Sequence, residues 1–506
     1  MTTHTPGLPV MAASTTGGSA EGSGALVTDV RRGALWTGAS TMLLRISNIA
    51  LMAVVARIVA PDELGVFALA VTVQAVLVSM AELGVASVIA RTEIDIDKIA
   101  PTVVTISVTT SLVLGSLMAL GAEPLAVFLG SPDAAGPIRI MALCVAMIGP
   151  FAVPGAQLQR DFRQDLLFRA NILAFLPSAA VLVLLALGGD GASAFAWSRV
   201  AGQLVAGVIM VLSIKRNYLP GFEPAFLRPL LRFGLPLAAA NILSQVLLNV
   251  DYVFVGRMMG EADVGLYMLA FNVCMWSGAV IGAMLNGIVL PAFSTVLRDG
   301  GDTSAAIAAG LRTVALVACP LAAFTCAFAT PLITTIYGGQ WAAAGPVLAV
   351  LSFYGVVSVI GVLFANIIIA TGRTGVLFLV QAIALAFLVP ALAAGIHLGG
   401  LVGIGVAHLA VISLVTLPVY LTALHRSTGV RLGQLARAMV RPVLAATAAA
   451  LLALLLTAPI GTDILKVAVG GCIGAAVYFL GTRSHIMALL PRRAGREPAL
   501  QAGGTP

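Results

Sequence analysis

VARIVAPDELGVFALA at residues 55–70 and VGRMMGEADVGLYMLA at residues 255–270 are one phrase written twice. Each closes an apolar run with an arginine, crosses a short acidic turn and resumes with Gly, an aromatic and Leu-Ala. At this offset of 200, Leu35, Ala39, Leu43, Val55, Arg57, Gly65, Leu69, Ala70 and Val73 match Leu235, Ala239, Leu243, Val255, Arg257, Gly265, Leu269, Ala270 and Val273. Leu and Ala matches are cheap in an apolar chain, whereas Arg57/Arg257 and Gly65/Gly265 are not. Chance likeness between two hairpins is the bland alternative. The sharper reading is an internal repeat.

What repeats is set by composition. Of 506 residues, 59% are hydrophobic and 10% charged, against about 25% charged in soluble domains, so the chain reads as a membrane protein. Its 53 glycines suit helices that pack closely in lipid, where association relies on small residues. The net charge of +7 is therefore no nucleic-acid signal, because the basic residues sit in short loops between apolar spans. Cys144, Cys274, Cys319, Cys326 and Cys472 are scattered without CxxC spacing and read as packed free thiols. Residues 1–28, rich in Gly, Ser, Thr and Ala, read as a disordered tail and not a cleaved signal peptide.

A bilayer core takes about 20 apolar residues per helix. Charge, Pro and Gly divide the chain into fourteen such runs, near 33–58, 64–88, 99–121, 135–156, 167–188, 192–214, 230–256, 264–289, 309–335, 346–370, 375–396, 399–423, 441–458 and 464–482. Pro150, Pro177, Pro236, Pro320 and Pro390 fall inside them, tolerable where neighbours satisfy the freed carbonyls. The loops test the count. With the N-terminus inside, 22 of the 28 basic residues fall on the cytoplasmic side, as the positive-inside rule requires. The outer loops are short and acidic or neutral, with Asp62 and Glu63, Glu123 and Asp133, Asp190, and Glu261 and Asp263. Both termini are thus expected to be cytoplasmic.

Six spans separate the two copies, an even number, so both halves enter from the same side. Such parallel repeats occur in carriers that rock two bundles about a central site. The expected fold is an all-α polytopic membrane protein with about 14 transmembrane helices. Two parallel-repeat six-helix bundles, 29–216 and 217–425, enclose a central cavity; two more helices occupy 426–484, and 485–506 form a cytoplasmic tail. The acidic turns become outer hairpins whose glycines are expected to let the second helix of each half start close to the first.

Charge inside a span costs roughly 2.5–3.5 kcal/mol on insertion scales. Arg45 lies mid-span, and at helical spacing Thr37, Ser40, Thr41, Arg45, Ser47 and Asn48 share one side of the first helix. Asn241, Ser244, Gln245, Asn249, Asp251 and Tyr252 do the same on the seventh. Both stripes are expected to line a hydrated cavity; the alternative is a dry interface in which Arg45 or Arg199 bridges to Asp251. Deep cations (Arg45, Arg139, Arg199) outnumber the deep acids Glu82 and Asp251, which suits an anionic phosphate or diphosphate held by guanidinium groups. Arg139, near a helix end, is the weakest of the three. His408 is a candidate titrating group, although a lone helix histidine more often belongs to a packed core. No HExxH, GxSxG, Walker loop or DxD-type metal pair in a soluble domain occurs; no cofactor and no enzyme activity are expected.

The motifs GALW (33–36), VARIVAPDELGVFALA, AELGVASVIAR (81–91), LQRDF (158–162), LRFGLP (231–236), NVDYVFVGRMMG (249–260) with DVGLY, LPAFS (290–294) and YGGQWAAAGPVL (337–348) follow one another along residues 31–425. In order and spacing the chain resembles the polysaccharide-transporter family, the Wzx-type lipid-linked oligosaccharide flippases, within the multidrug/oligosaccharidyl-lipid/polysaccharide exporter superfamily, nearest its colanic-acid exporter-like branch. The resemblance implies fourteen helices around a central cavity in the cytoplasmic membrane. It also implies transfer of polyprenyl-diphosphate-linked oligosaccharide to the outer leaflet for exopolysaccharide, capsule or O-antigen assembly. Arg45, Asn48, Arg199, Asn241, Gln245, Asn249 and Asp251 are then the candidate substrate-cavity residues, and Asp251, His408, Arg57 and Arg257 the candidates for coupling or gating. Membrane lipids, a polysaccharide polymerase and chain-length machinery are candidate partners, with no nucleic acid. A cation-coupled multidrug or metabolite exporter and a membrane-embedded polymerase are the alternatives. The first should carry acids in excess; the second should carry a large charged outer loop, and the stretches near 122–134 and 336–345 are small.

Overall fold

The computed structural model describes residues 43–81, 96–161, 163–214, 218–284, 301–370 and 375–489. The N-terminal tail, Thr37, Ser40, Thr41, Glu82 and most of the C-terminal tail lie outside them. Two compact units are formed, residues 1–48 and 49–506, and the helix packing discussed here belongs to the second. Among the described residues every regular element is helical: α1 (Leu43–Val55), α2 (Pro61–Ala81), α3 (Ile96–Leu120), α4 (Ala122–Leu129), α5 (Ala135–Arg160), α6 (Gln164–Leu187), α7 (Gly191–Ser213) and α8 (Pro224–Met258). There follow α9 (Glu261–Met284), α10 (Thr303–Ala327), α11 (Ala329–Tyr337), α12 (Ala344–Ala370), α13 (Gly375–Val411), a π-helical turn (Ile412–Thr416), α14 (Leu417–Thr428), α15 (Leu432–Thr457) and α16 (Asp463–Leu489). Eleven helical stretches among the described residues are long and apolar enough to cross a membrane. The chain is a multi-pass membrane protein, helical in every regular element of its described residues.

One of those stretches, Gly375–Thr428, runs for 54 residues, far beyond the about 20 that a bilayer core takes. It is not one rod. Gly399 and Gly400 leave helical geometry, Gly400 with φ 54°, and the chain doubles back so tightly that a Cβ on Gly395 would meet the carbonyl oxygen of Gly403. The separate runs expected at 375–396 and 399–423 are the two arms. Two expectations change. The outer stretch 122–134 is not an open loop but the short helix α4 followed by a 3-10 turn at Pro132–Ala134, and the run 309–335 breaks after Ala327, its end belonging to the short helix α11.

In-span prolines leave a carbonyl four residues back without its donor, and neighbouring helices supply one. Pro150 of α5 frees the Ala146 oxygen, to which the Ser111 hydroxyl of α3 donates at 3.1 Å. Pro320 of α10 frees the Leu316 oxygen, to which the Tyr478 hydroxyl of α16 donates at 2.9 Å. Tyr478→Phe keeps the packing and strands that oxygen. We expect a loss of about 1–3 kcal/mol, read as a lower midpoint of thermal unfolding in detergent without loss of assembled protein; an unchanged midpoint would remove this bond from the account.

The repeated glycines have a different role from the one expected. A Cβ on Gly65 would strike the carbonyl oxygen of Glu261, and a Cβ on Gly265 would strike that of Pro61. Because 61 and 261 are themselves equivalent at the 200-residue offset, the contact is reciprocal. The glycines bring α2 and α9 together across the two halves; they do not bring the second helix of each half onto its own first helix. Small residues allow such backbone approach, the main source of helix association in lipid. Around this crossing α2 also packs on α5, α7 and α8, and α9 on α12. The principal core includes fully buried Leu69, Ala70, Val264, Tyr267, Ala270 and Trp341. Large apolar side chains such as Leu176, Leu184, Leu212, Leu444 and Leu455 face outward, as lipid-facing helix surfaces do.

Candidate functional site

The buried charge of the described residues is gathered at one place, built from α8, α9, α12 and α13. Asp251, near the end of α8, is 1% exposed. Its Oδ2 accepts a 2.6 Å hydrogen bond from the Tyr267 hydroxyl of α9, and its Oδ1 accepts one of 3.0 Å from the Tyr252 amide. Nε2 of His408, on the second arm of α13, lies 3.3 Å from Asp251 Oδ2 without an aligned hydrogen bond. The imidazole is caged by aromatic rings, with the Tyr354 ring of α12 edge-on at 5.2 Å and those of Phe271 and Tyr267 at 6.3 and 6.4 Å.

A small cavity reaches this cluster. His408, Tyr354, Phe271 and Leu247 line it together with Ile412 and Thr416 of the π-helical turn, and it holds about 120 Å³. Helices rarely widen to π geometry except as isolated turns, frequently at functional sites. Chemically the site offers a carboxylate with two donors in place and an imidazole within reach of the same oxygen. The carboxylate is thus buried with polar partners, in a surrounding where an unpaired charge would be costly.

This divides the polar stripe expected on α8. Ser244 and Asp251, seven residues and nearly two full turns apart, share the edge facing α13, where the Ser244 hydroxyl donates to Gln381 Oε1 at 3.2 Å. Gln245 and Asn249 occupy the other edge, half-buried, with Asn249 Nδ2 donating to the Gln245 carbonyl at 2.8 Å. Asn241 is also half-buried. Asp251 is buried among α8, α9, α12 and α13, and the ionisable side chain beside it is His408. Sequence reading overlooked Tyr267 and Tyr354. The available signal was scarcity, because the chain has seven tyrosines and Tyr267 stands in the repeated phrase.

The arginines are distributed differently. Arg139 leaves the group of deep cations, because it pairs with Glu123 of α4 at 2.5 Å in an exposed ion pair. Arg199 is exposed near the middle of α7 and makes no ion pair with a described residue. Trp197 and Leu204 of the same helix line an outer groove against α6, whereas Arg199 points about 200° around the helix from Trp197. Its face is shared with Gln203, whose amide donates to the Cys144 carbonyl of α5 at 2.8 Å. Arg45 and Asn48 fall in the first unit, on α1, where Asn48 Nδ2 donates to the Leu44 carbonyl at 2.8 Å. Arg57 and Arg257 are far from the Asp251 cluster in role. Arg57 donates to the Thr335 carbonyl of α11 at 2.9 Å, and the Arg257 guanidinium lies over the Phe128 ring of α4 at 5.1 Å.

Known proteins share this architecture. Over 468 residues the chain is 26% identical to the succinoglycan biosynthesis transport protein ExoT of Rhizobium meliloti (strain 1021), covering 89% of this chain and 93% of that protein. It is 23% identical to the lipopolysaccharide biosynthesis protein WzxC of Escherichia coli (strain K12), over 75% of this chain and 77% of the relative. Among solved structures, the lipid II flippase MurJ in an inward closed conformation superposes with a TM-score of 0.69 at 14% identity, covering 89% of this chain and 100% of MurJ. An inward-facing multidrug resistance MATE family transporter follows at a TM-score of 0.58 and 15% identity, covering 74% and 93%. The sequence model described as polysaccharide biosynthesis protein matches residues 54–346. That match takes in more than half of the chain, from the first copy of the repeated phrase through the second and on to α12, and the chain belongs to the polysaccharide biosynthesis protein family.

Proposed function

We propose that this chain is a flippase that moves polyprenyl-diphosphate-linked oligosaccharide units across the cytoplasmic membrane for surface polysaccharide assembly, working by alternating access. The observation that carries this reading is the likeness along nearly the whole chain to a protein named as a succinoglycan biosynthesis transport protein. Fourteen spans with both termini cytoplasmic complete the proposed topology. Bundles at 29–216 and 217–425 form the moving halves, the helices of 426–484 are appended and 485–506 form a cytoplasmic tail. Matched packing supports the two bundles, since α3 lies on α5 as α10 lies on α12, and α2 on α5 as α9 on α12.

In this reading Arg45 and Arg199 hold the diphosphate by paired hydrogen bonds, and Asn48, Asn241, Gln245 and Asn249 meet the headgroup. Asp251 and His408 sit apart from the substrate and act as the coupling pair. They take up a proton in one stage of the cycle and release it in another through the cavity beside the π-helical turn. A guanidinium with no acid partner among the described residues is suited to a ligand that brings its own negative charge, so Arg199 is the residue to test first. In a host lacking the gene, Arg199→Ala should give about ten- to a hundredfold less surface polymer than the wild-type copy, by the worth of a charge-assisted contact, with complete lipid-linked units accumulating in the membrane. Normal polymer from a normally inserted Arg199→Ala protein would remove this residue from the substrate path. Deletion of the gene with both pools unchanged would favour an exporter of another solute, and truncated lipid-linked units would favour an enzyme.

A further inference from the structure

The repeated arginines, Arg57 and Arg257, each grip the short helix of the opposite half. Ala56 and Arg57 follow α1, and Gly256 and Arg257 lie in the last turn of α8, so the two pairs are equivalent at the 200-residue offset. From the first half, Arg57 Nη2 donates to the Thr335 carbonyl in the last turn of α11. The Ala56 carbonyl in turn accepts 2.6 Å and 2.5 Å hydrogen bonds from Trp341 Nε1 and Gln340 Nε2, just beyond α11. From the second half, Arg257 covers the Phe128 ring in the last turn of α4. The Gly256 backbone meets that helix end so closely that a Cβ there would lie 2.8 Å from the Leu129 carbonyl oxygen.

Both arginines therefore sit at the C-terminal end of a helix of eight or nine residues, where unpaired carbonyls and the negative end of the helix dipole favour a cation. This explains why arginine is repeated at 57 and 257. The grips are exchanged between halves and lie at the same end of the bundle as the Gly65/Gly265 crossing. A third tie extends the assembly, the Thr334 hydroxyl of α11 donating to Asp463 Oδ2 at the start of α16 at 2.7 Å.

We propose that Arg57 and Arg257 form a reciprocal latch that keeps this end of the transport path shut, the outer end on the charge pattern of the loops, and that opening releases both grips together. The two halves cannot part at this end while either arginine holds the other half's short helix. The grips differ in kind. Arg57 makes a hydrogen bond to backbone and is supported by Trp341 and Gln340, so it is the stronger, while Arg257 relies on a ring face. The latch rests on the alternating-access reading above, and its test is made without substrate.

The experiment measures distances between spin labels at Asp133→Cys and Ala343→Cys, exposed positions beyond α4 and α11, in lipid nanodiscs, with Cys326 and Cys472 replaced by serine. The unsubstituted latch should give one short distance. Arg57→Ala and Arg257→Ala together should add a longer one, raising the open-to-closed ratio by about tenfold or more for Arg57, the counterpart of one hydrogen bond to a charged group, and by less for Arg257. Arg57→Lys should restore part of the closed population. Phe128→Leu and Gln340→Ala, each weakening one grip with both arginines kept, carry the same readout if the double variant does not assemble. An unchanged distribution in the weakened variants would overturn the latch. A shifted distribution in a protein whose loss leaves both polymer pools unchanged would keep the latch and sink the flippase reading.

Discussion

A leucine at position 265 will leave no assembled protein. Gly265 lies against the backbone carbonyl of Pro61 and Gly65 against that of Glu261, so that even one added carbon has no room at either place. Overpacking a core of side chains costs typically about 1–3 kcal/mol, because rotamers shift. Here the obstacle is main chain on two rigid helices, and relief requires α2 and α9 to separate along their crossing. Fluorescence-detected size-exclusion chromatography should show Gly265→Leu as aggregate or degraded material. Gly65→Ala and Gly265→Ala should each lower the thermal midpoint by similar amounts, because the contact is reciprocal. A monodisperse Gly265→Leu protein at wild-type yield would show that the crossing is looser than described.

The second large effect is expected at Asp251. Removing one member of a buried pair costs about 3–5 kcal/mol, because the partner's polar groups stay behind without compensation. Asp251→Ala strands the Tyr267 hydroxyl and leaves the His408 imidazole beside an empty space in an aromatic cage. We expect a steep loss of thermal stability and no transport. The informative companion is Asp251→Leu with His408→Leu. Apolar replacement of a whole buried pair is often neutral or stabilising, so the double variant should recover much of the stability lost by Asp251→Ala while surface polymer stays absent. Restored polymer in that double variant would make the pair a structural feature and remove it from coupling. Wild-type stability of Asp251→Ala alone would remove the cluster from the packing account too.

The candidate site was partly legible. Asp251 and His408 drew notice because ionisable groups in an apolar chain are costly and hence conspicuous. Their pairing was not visible, since they are separated by 157 positions and sit on helices whose facing sides depend on crossing angles. Periodicity places Ser244, Gln245 and Asp251 on one broad stripe; only the packing of α13 decides that Ser244 and Asp251 face inward to it while Gln245 and Asn249 do not. Arg139, near a helix end by sequence, has an acid partner, Glu123, in a stretch that is helix and not loop.

By itself the sequence determined that this chain is a helical, multi-pass membrane protein and where most of its long apolar helices run. A backbone in hydrocarbon must satisfy its own hydrogen bonds, so runs of about 20 apolar residues have no other regular solution. It also marked Arg57, Arg257, Gly65 and Gly265 as paired. What they are paired for was decided by tertiary structure alone. The glycines face one another and not their own hairpins, and the arginines hold α4 and α11, helices too short to register as spans. The physical reason is that hydropathy and repeat spacing describe each helix against its solvent. Contact between helices depends on rotation, crossing and depth, which are set when backbones meet at the positions small enough to let them.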